Sequence, residues 1–164
     1  MTDFDDLLAA NDEFARTFTL GGFDGIARAG VAMVTCMDSR IDPLRMIGLA
    51  PGDAKILRNP GGRVTDQALI ALVLGVHLLK VDRVLIVEHT RCAMASASES
   101  ELLERLSESA DADARWMTLG AIDDQERTLR HDVHRVTSHP LIPERVSVGG
   151  FLYDVDSGRL EQVA

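Results

Sequence analysis

No apolar run in this chain is long enough to cross a bilayer: the longest, Ala68 to Leu79, carries His77 and falls short of the about 20 residues a spanning helix needs. The sequence therefore gives no membrane segment. It also lacks a basic N-terminus. Met1-Thr-Asp-Phe-Asp-Asp is acidic where a secretory or transit peptide would be basic, so a cytoplasmic location is expected. Positive charge is scarce, with 17 Lys and Arg against 26 Asp and Glu and a net charge of -9. Such a surface is poorly suited to phosphate backbones, and nucleic acid is excluded as a partner. There are only two cysteines. In a reducing compartment such thiols bind metal, catalyse or pack in the core more often than they form disulfides. Internal repeats and low-complexity blocks are absent, and the most irregular stretch, Leu119 to Asp124, is too short for a domain linker.

What is present is a chain of 164 residues with 46% hydrophobic and 26% charged content, the values of one globular domain spanning 1–164 that needs no staples. Phe4, Leu7, Leu8, Phe14 and Phe18 recur near helical spacing, which predicts an amphipathic N-terminal helix over Phe4 to Phe18 with Thr2 or Asp3 as its cap. Val31 to Thr35 and Ala54 to Leu57 read as short strands, Val64 to Leu79 as a helix with a wide apolar face, and Arg83 to Val87 as a third strand. Ser98 to Ser107 and Ile122 to Val136 read as helices with acidic first turns, as the helix dipole favours. Val146 to Val155, the Asp156-Ser-Gly158 turn and the stretch from Arg159 read as a C-terminal hairpin. Strands alternating with helices predict an α/β fold with a mostly parallel central sheet, helices on both faces and the hairpin at one edge.

In such sheets ligands bind beyond the carboxyl ends of strands, and both cysteine motifs fall there. His89-Thr-Arg-Cys92 follows the third strand and could aim an imidazole and a thiol at one borderline-soft ion such as zinc. Alone, the pair is equally compatible with Cys92 packing as a small hydrophobe. Cys36-Met-Asp-Ser-Arg40 adds a thiol at the end of the first strand, with Asp38 and Arg40 placed to form a bidentate pair. By itself that pair reads as an exposed ion pair of little consequence. Together the motifs supply three ligands and a neighbouring carboxylate.

Cys36-x-Asp38-x-Arg40 with the distant His89-x-x-Cys92 resembles the paired signature of the β-class carbonic anhydrases. Ile56-Leu-Arg-Asn-Pro-Gly-Gly62 resembles that family's Arg-Asn-Ala-Gly segment, and the similarity runs from about Val31 through the hairpin. The resemblance implies one Zn2+ per chain held by Cys36, His89 and Cys92. It also implies hydration of carbon dioxide to bicarbonate, and a homodimer or dimer of dimers whose N-terminal helix, within 1–20, packs on the partner. Asp38 is then either the partner of Arg40 in an open site or the fourth ligand of a closed one. Carbonyl sulfide or carbon disulfide hydrolysis on the same scaffold is the nearest alternative, because pocket shape, not the ligand set, separates these linear substrates. A purely structural zinc closed by Asp38, or a thiol redox role for Cys36 and Cys92, is the more distant one.

Two positions depart from the family pattern. Ala93 stands where Gly usually follows the second cysteine, a substitution that costs about 1 kcal/mol if the backbone there needs positive φ and almost nothing if it is helical. Pro60 replaces the usual Ala and removes one N–H. Gly61 and Gly62 are equally compatible with a close backbone approach and with a plain turn. His131 and His134 read as solvated surface histidines, His77 as a hydrogen-bonded core or interface histidine, and none is singled out as a proton shuttle.

Overall fold

The computed structural model describes residues 3–164. Helix α1 spans Asp5–Arg16, strand β1 Val31–Cys36, β2 Ala54–Asn59, helix α2 Asp66–Leu78 and β3 Arg83–His89. They are followed by α3 over Glu99–Ala110, α4 over Gln125–Thr137, β4 over Ser147–Tyr153 and β5 over Leu160–Gln162. One five-stranded sheet runs in the order β2-β1-β3-β4-β5. Its β1–β2, β1–β3 and β3–β4 pairs are parallel and only the β4–β5 hairpin is antiparallel, as the alternation of elements predicts.

Local chemistry sets the helix boundaries. Thr65 caps α2 by accepting from the Ala68 N–H, so the helix begins inside the expected Val64 start. Ser98 and Glu101 form a reciprocal capping box on α3. Asp124 accepts from the Arg127 N–H, which moves the start of α4 past Ile122. The expected cap of α1 is not realised: its N-cap is Phe4, with no side-chain hydrogen bond, and Thr2 lies outside the described residues. The irregular stretch before α4 is ordered from α3, because the Glu99 carboxylate accepts from the N–H groups of Leu119 and Ala121.

Ala32 and Val34 of β1 lie in register with Val84 and Ile86 of β3, and all four point into a core shared with Leu72 and Val76 of α2 and Leu129 and Val136 of α4. Both crossovers, from β2 through α2 to β3 and from β3 through α4 to β4, advance toward the β5 edge. Right-handed connections therefore bring α2 and α4 onto one face. Met33, Thr35 and Val87 alternate to the other face and are equally buried.

α4 is also fastened by a buried ion pair. Asp132, 1% exposed, accepts from Arg63 Nε and Nη2 at 2.9 and 3.2 Å and from the Val64 N–H at 2.9 Å. Burial pushes the Asp132 carboxyl up, but the Arg63 guanidinium and the Val64 N–H outweigh it and hold the acid below its usual range. A depressed carboxylate pKa contributes stability above the unfolded value of 3.8 that is lost as pH falls through the folded one. Asp132→Ala is expected to cost about 3–5 kcal/mol in urea denaturation at pH 7 by stranding Arg63. The deficit against wild type should shrink in titrations run below pH about 4; a deficit independent of pH would show that packing, not the carboxylate charge, is what was lost.

Candidate metal centre

Parallel pairing of β1 and β3 delivers Cys36 and His89 to the same end of the sheet, since each is the last residue of its strand. Cys92 joins them through a sharp reversal in which Arg91 adopts φ 54°, a left-handed conformation costly for a residue with a Cβ. All three side chains are buried, and their ligand atoms lie within 4.8 Å of one another. The two sulfurs are 4.0 Å apart. Tetrahedral zinc, with Zn–S bonds near 2.3 Å, sets its sulfurs about 3.8 Å apart, so this spacing suits the ion.

Two further features fit a cation here. His89 Nδ1 lies 2.9 Å from the Thr90 carbonyl, which takes its proton and leaves Nε2 as the lone-pair nitrogen. That Nε2 is buried without a hydrogen-bond partner. The thiols tell the same story. A hydrogen bond from Cys92 pulls Cys36 down to about 4, helped by His89 and by the backbone N–H groups of Asp38 and Gly61, against the opposing effect of burial. Cys92 is driven far up, first because it is the donor to Cys36 and then by burial. Without a cation the pair holds one negative charge, whereas two thiolates require a metal to balance them.

Asp38 is committed to Arg40. Arg40 grips it through Nε to Oδ1 at 2.9 Å and Nη2 to Oδ2 at 2.7 Å, and the Arg40 N–H adds a third bond to Oδ1 at 2.9 Å. These bonds hold the Asp38 carboxyl far below its usual range, with its Oδ2 3.8 Å from His89 Nε2. Arg40 Nη2 also donates to the Arg91 carbonyl at 3.3 Å, joining the two motif loops. Arg58, at the end of β2, donates to the carbonyls of Cys36, Asp38 and Ile41, which pins the backbone of the first loop.

A pocket of about 320 Å³ opens on Cys36, Asp38, His89 and Cys92, with Met37, Pro60, Ala93 and Met94 as its apolar wall. Both departures from the family pattern are accommodated. Ala93 opens a 3₁₀ turn and is not among the positive-φ residues, so its methyl carries no backbone strain. Pro60 occupies the first position of another 3₁₀ turn, where its ring is tolerated. Gly62, given no role from sequence, is required: at φ 71° a Cβ would sit 2.5 Å from the Val87 carbonyl oxygen and 3.0 Å from the Cys36 nitrogen. That close approach brings Gly61 to Cys36.

Sequence reasoning missed the support behind His89. Gln125, from α4, donates Nε2 to the His89 carbonyl at 2.9 Å. Glu88 is fully buried with both oxygens unpartnered, and burial raises its carboxyl to about 8 despite the nearby Arg63. A raised carboxyl stabilises the fold fully below the unfolded 4.5, and that contribution is lost as pH rises toward 8. His131 and His134 are exposed, as expected, but so is His77 on this chain. His77 is no core histidine, and its Nε2 meets the Leu141 carbonyl at 2.8 Å.

Cys36, His89 and Cys92 thus form a buried group that could hold a metal ion at the carboxyl edge of a parallel sheet, beside an arginine-held carboxylate. A family model described as carbonic anhydrase matches residues 31–160. β-Carbonic anhydrase 1 of Mycobacterium tuberculosis is 29% identical, over 99% of both chains. A carbon disulfide hydrolase of Acidianus is 30% identical, over 79% of this chain and 75% of its own. The crystal structure of carbonic anhydrase from Streptococcus mutans superposes with a TM-score of 0.90 at 35% identity, covering 100% of this chain and 99% of that one. The chain belongs to the β-carbonic anhydrase family.

Zinc binding to metal-free protein at pH 7 is expected to release at least one proton per site, drawn from Cys92. Calorimetry in buffers of different ionisation enthalpy measures it, and uptake with no proton release would show that the thiol pair is not the ligand set.

Proposed function

We propose that this chain catalyses the reversible hydration of carbon dioxide to bicarbonate and a proton, with Cys36, His89 and Cys92 holding one zinc ion and the whole chain acting as one domain. The observation that carries the reading is the triple grip of Arg40 on Asp38, which keeps that carboxylate from serving as a fourth ligand. A structural zinc would use that carboxylate to close its shell. Zinc with three protein ligands and an open position supplies an acidified water, of pKa about 7, as nucleophile at neutral pH.

The protein's own groups do the rest. Asp38, held ionised by Arg40, accepts a hydrogen bond from the nucleophile and so turns a lone pair toward the substrate carbon. Met37, Pro60 and Met94 line the substrate side, where a linear apolar molecule displaces water at little cost. Arg58 fixes the carbonyls around Asp38, so that the carboxylate does not have to be reorganised during turnover. Bicarbonate, being anionic, is weakly favoured by the apolar wall and leaves by way of the adjacent cleft lined by Arg40 and Gln125.

Stopped-flow measurement on zinc-assayed protein from neutral to alkaline pH tests the proposal. Hydration should rise with pH and fall by about 100-fold or more in Asp38→Ala. Fully zinc-loaded protein with no hydration at any pH would refute it. The apolar, methionine-lined pocket also favours carbonyl sulfide or carbon disulfide hydrolysis as a second reading, and the named carbon disulfide hydrolases among its relatives make the comparison worthwhile. Turnover of the three substrates on one preparation ranks them.

The assembly is proposed to be a homodimer or dimer of dimers, in a reducing compartment such as the cytoplasm. Its support is α1, which buries none of its own residues and leaves Phe4, Leu7, Leu8, Phe14 and Phe18 between 51% and 64% exposed. A helix with a bare apolar face needs a partner. Leu7→Glu combined with Phe14→Glu is expected to shift sedimentation from dimer toward monomer, and an unchanged sedimentation coefficient would remove α1 from the interface.

A further inference from the structure

The end of β4 and the turn that follows it supply none of the Cys36, His89 and Cys92 trio, yet they join the loop between His89 and Cys92 through four hydrogen bonds. The Thr90 N–H donates to the Tyr153 carbonyl at 2.9 Å. Thr90 Oγ1 donates to Asp154 Oδ1 at 3.2 Å and accepts from the Val155 N–H at 3.1 Å. Arg91 Nη2 donates to Asp156 Oδ1 at 2.5 Å. The turn is itself tied together by Asp154, whose carboxylate accepts from the Asp156 N–H at 3.0 Å and from Ser157 Oγ at 2.6 Å.

We propose that this turn is a strut for catalysis, with Thr90, Asp154 and Asp156 as positioning residues that act through the Arg91 backbone on Arg40. The chain of contacts is continuous. Asp154 and Asp156 hold Thr90 and Arg91 in the reversal between His89 and Cys92. Arg91 has φ 54°, a conformation that neighbouring contacts must maintain, and its carbonyl accepts from Arg40 Nη2 at 3.3 Å. The same Nη2 donates to Asp38 Oδ2 at 2.7 Å. If the reversal relaxes, the Arg91 carbonyl swings away and Arg40 loses the acceptor that sets its angle toward Asp38.

The inference rests on the proposed role of Asp38 and Arg40 in hydration, so its test carries one readout that does not depend on turnover. The variant is Thr90→Val with Arg91→Ala, which cuts the strut while leaving the Asp154 bonds within the turn intact; Thr90→Ser is the conservative control. In zinc-loaded protein kcat should fall about 10- to 100-fold with KM little changed, and Thr90→Ser should retain most of the wild-type kcat. In an Arg40→Lys background the same double variant should add little, because the path runs through Arg40. With Co2+ in place of zinc, the visible spectrum of the double variant should shift and that of Thr90→Ser should not.

A wild-type kcat and cobalt spectrum in the double variant would overturn the strut. So would a kcat loss that multiplies undiminished on top of Arg40→Lys, which is the signature of general loosening. Should wild-type protein bind metal but fail to hydrate carbon dioxide, the proposed function falls, and the cobalt spectra alone decide whether the turn positions the site.

Discussion

The parallel register between β1 and β3 is the constraint on which the centre depends. Thr35 pairs with Val87, so the two strands finish within one residue of each other, and Cys36 and His89 leave the same end of the sheet. Neither residue has freedom to drift. β1 is buried along its whole length and β3 at every position but Arg83 and Leu85, and a slip of one residue would turn Ala32 and Val34 away from the core they share with α2 and α4. The ligand geometry is thereby tied to the cohesion of the core: the apolar contacts that fold the domain also fix the distance between a thiol and an imidazole.

Around that fixed point the polar loops are held by arginines donating to backbone carbonyls. Arg58 spans three carbonyls of the Cys36–Ile41 loop and Arg40 reaches Arg91 across the site. A guanidinium suits this work because its rigid fork of donors satisfies several acceptors without moving and stays charged at any physiological pH. Gly62 serves the same end sterically. Its missing Cβ lets the segment after β2 lie against the ends of β1 and β3, which carries the Gly61 N–H to the Cys36 sulfur.

The convergence of the two cysteine motifs was legible because each motif is local: each is a short run placed just after an apolar, β-branched segment. Arg40 with Asp38 was legible for the same reason. What could not be read were groups whose meaning depends on distant partners. Asp132 looks like any charged helix residue until Arg63, 69 positions away, is brought beneath it. Glu88 sits in a strand between valine and histidine, and nothing in that run reveals full burial without a partner. Its only sequence signal is an acid at the inward phase of an otherwise apolar strand. α1 was read correctly as amphipathic, but its N-cap is Phe4, which has no acceptor to offer, and its apolar face is left uncovered among the described residues.

Charge accounts for why Asp38 remains with Arg40. Two thiolates and a neutral imidazole would neutralise a divalent ion, and Asp38 with Arg40 forms a second neutral unit beside it. Behind the site, Asp132 is paired with Arg63, and Glu88, raised to about 8, is uncharged at neutral pH. Moving Asp38 onto the metal would place a net negative charge in a buried site and leave Arg40 with only the Arg91 carbonyl as acceptor, two unfavourable changes for one new bond. The charge balance thus favours keeping Asp38 with Arg40. Any perturbation that weakens Arg40, whether at its own side chain or at the carbonyl that orients it, shifts that balance in the same direction.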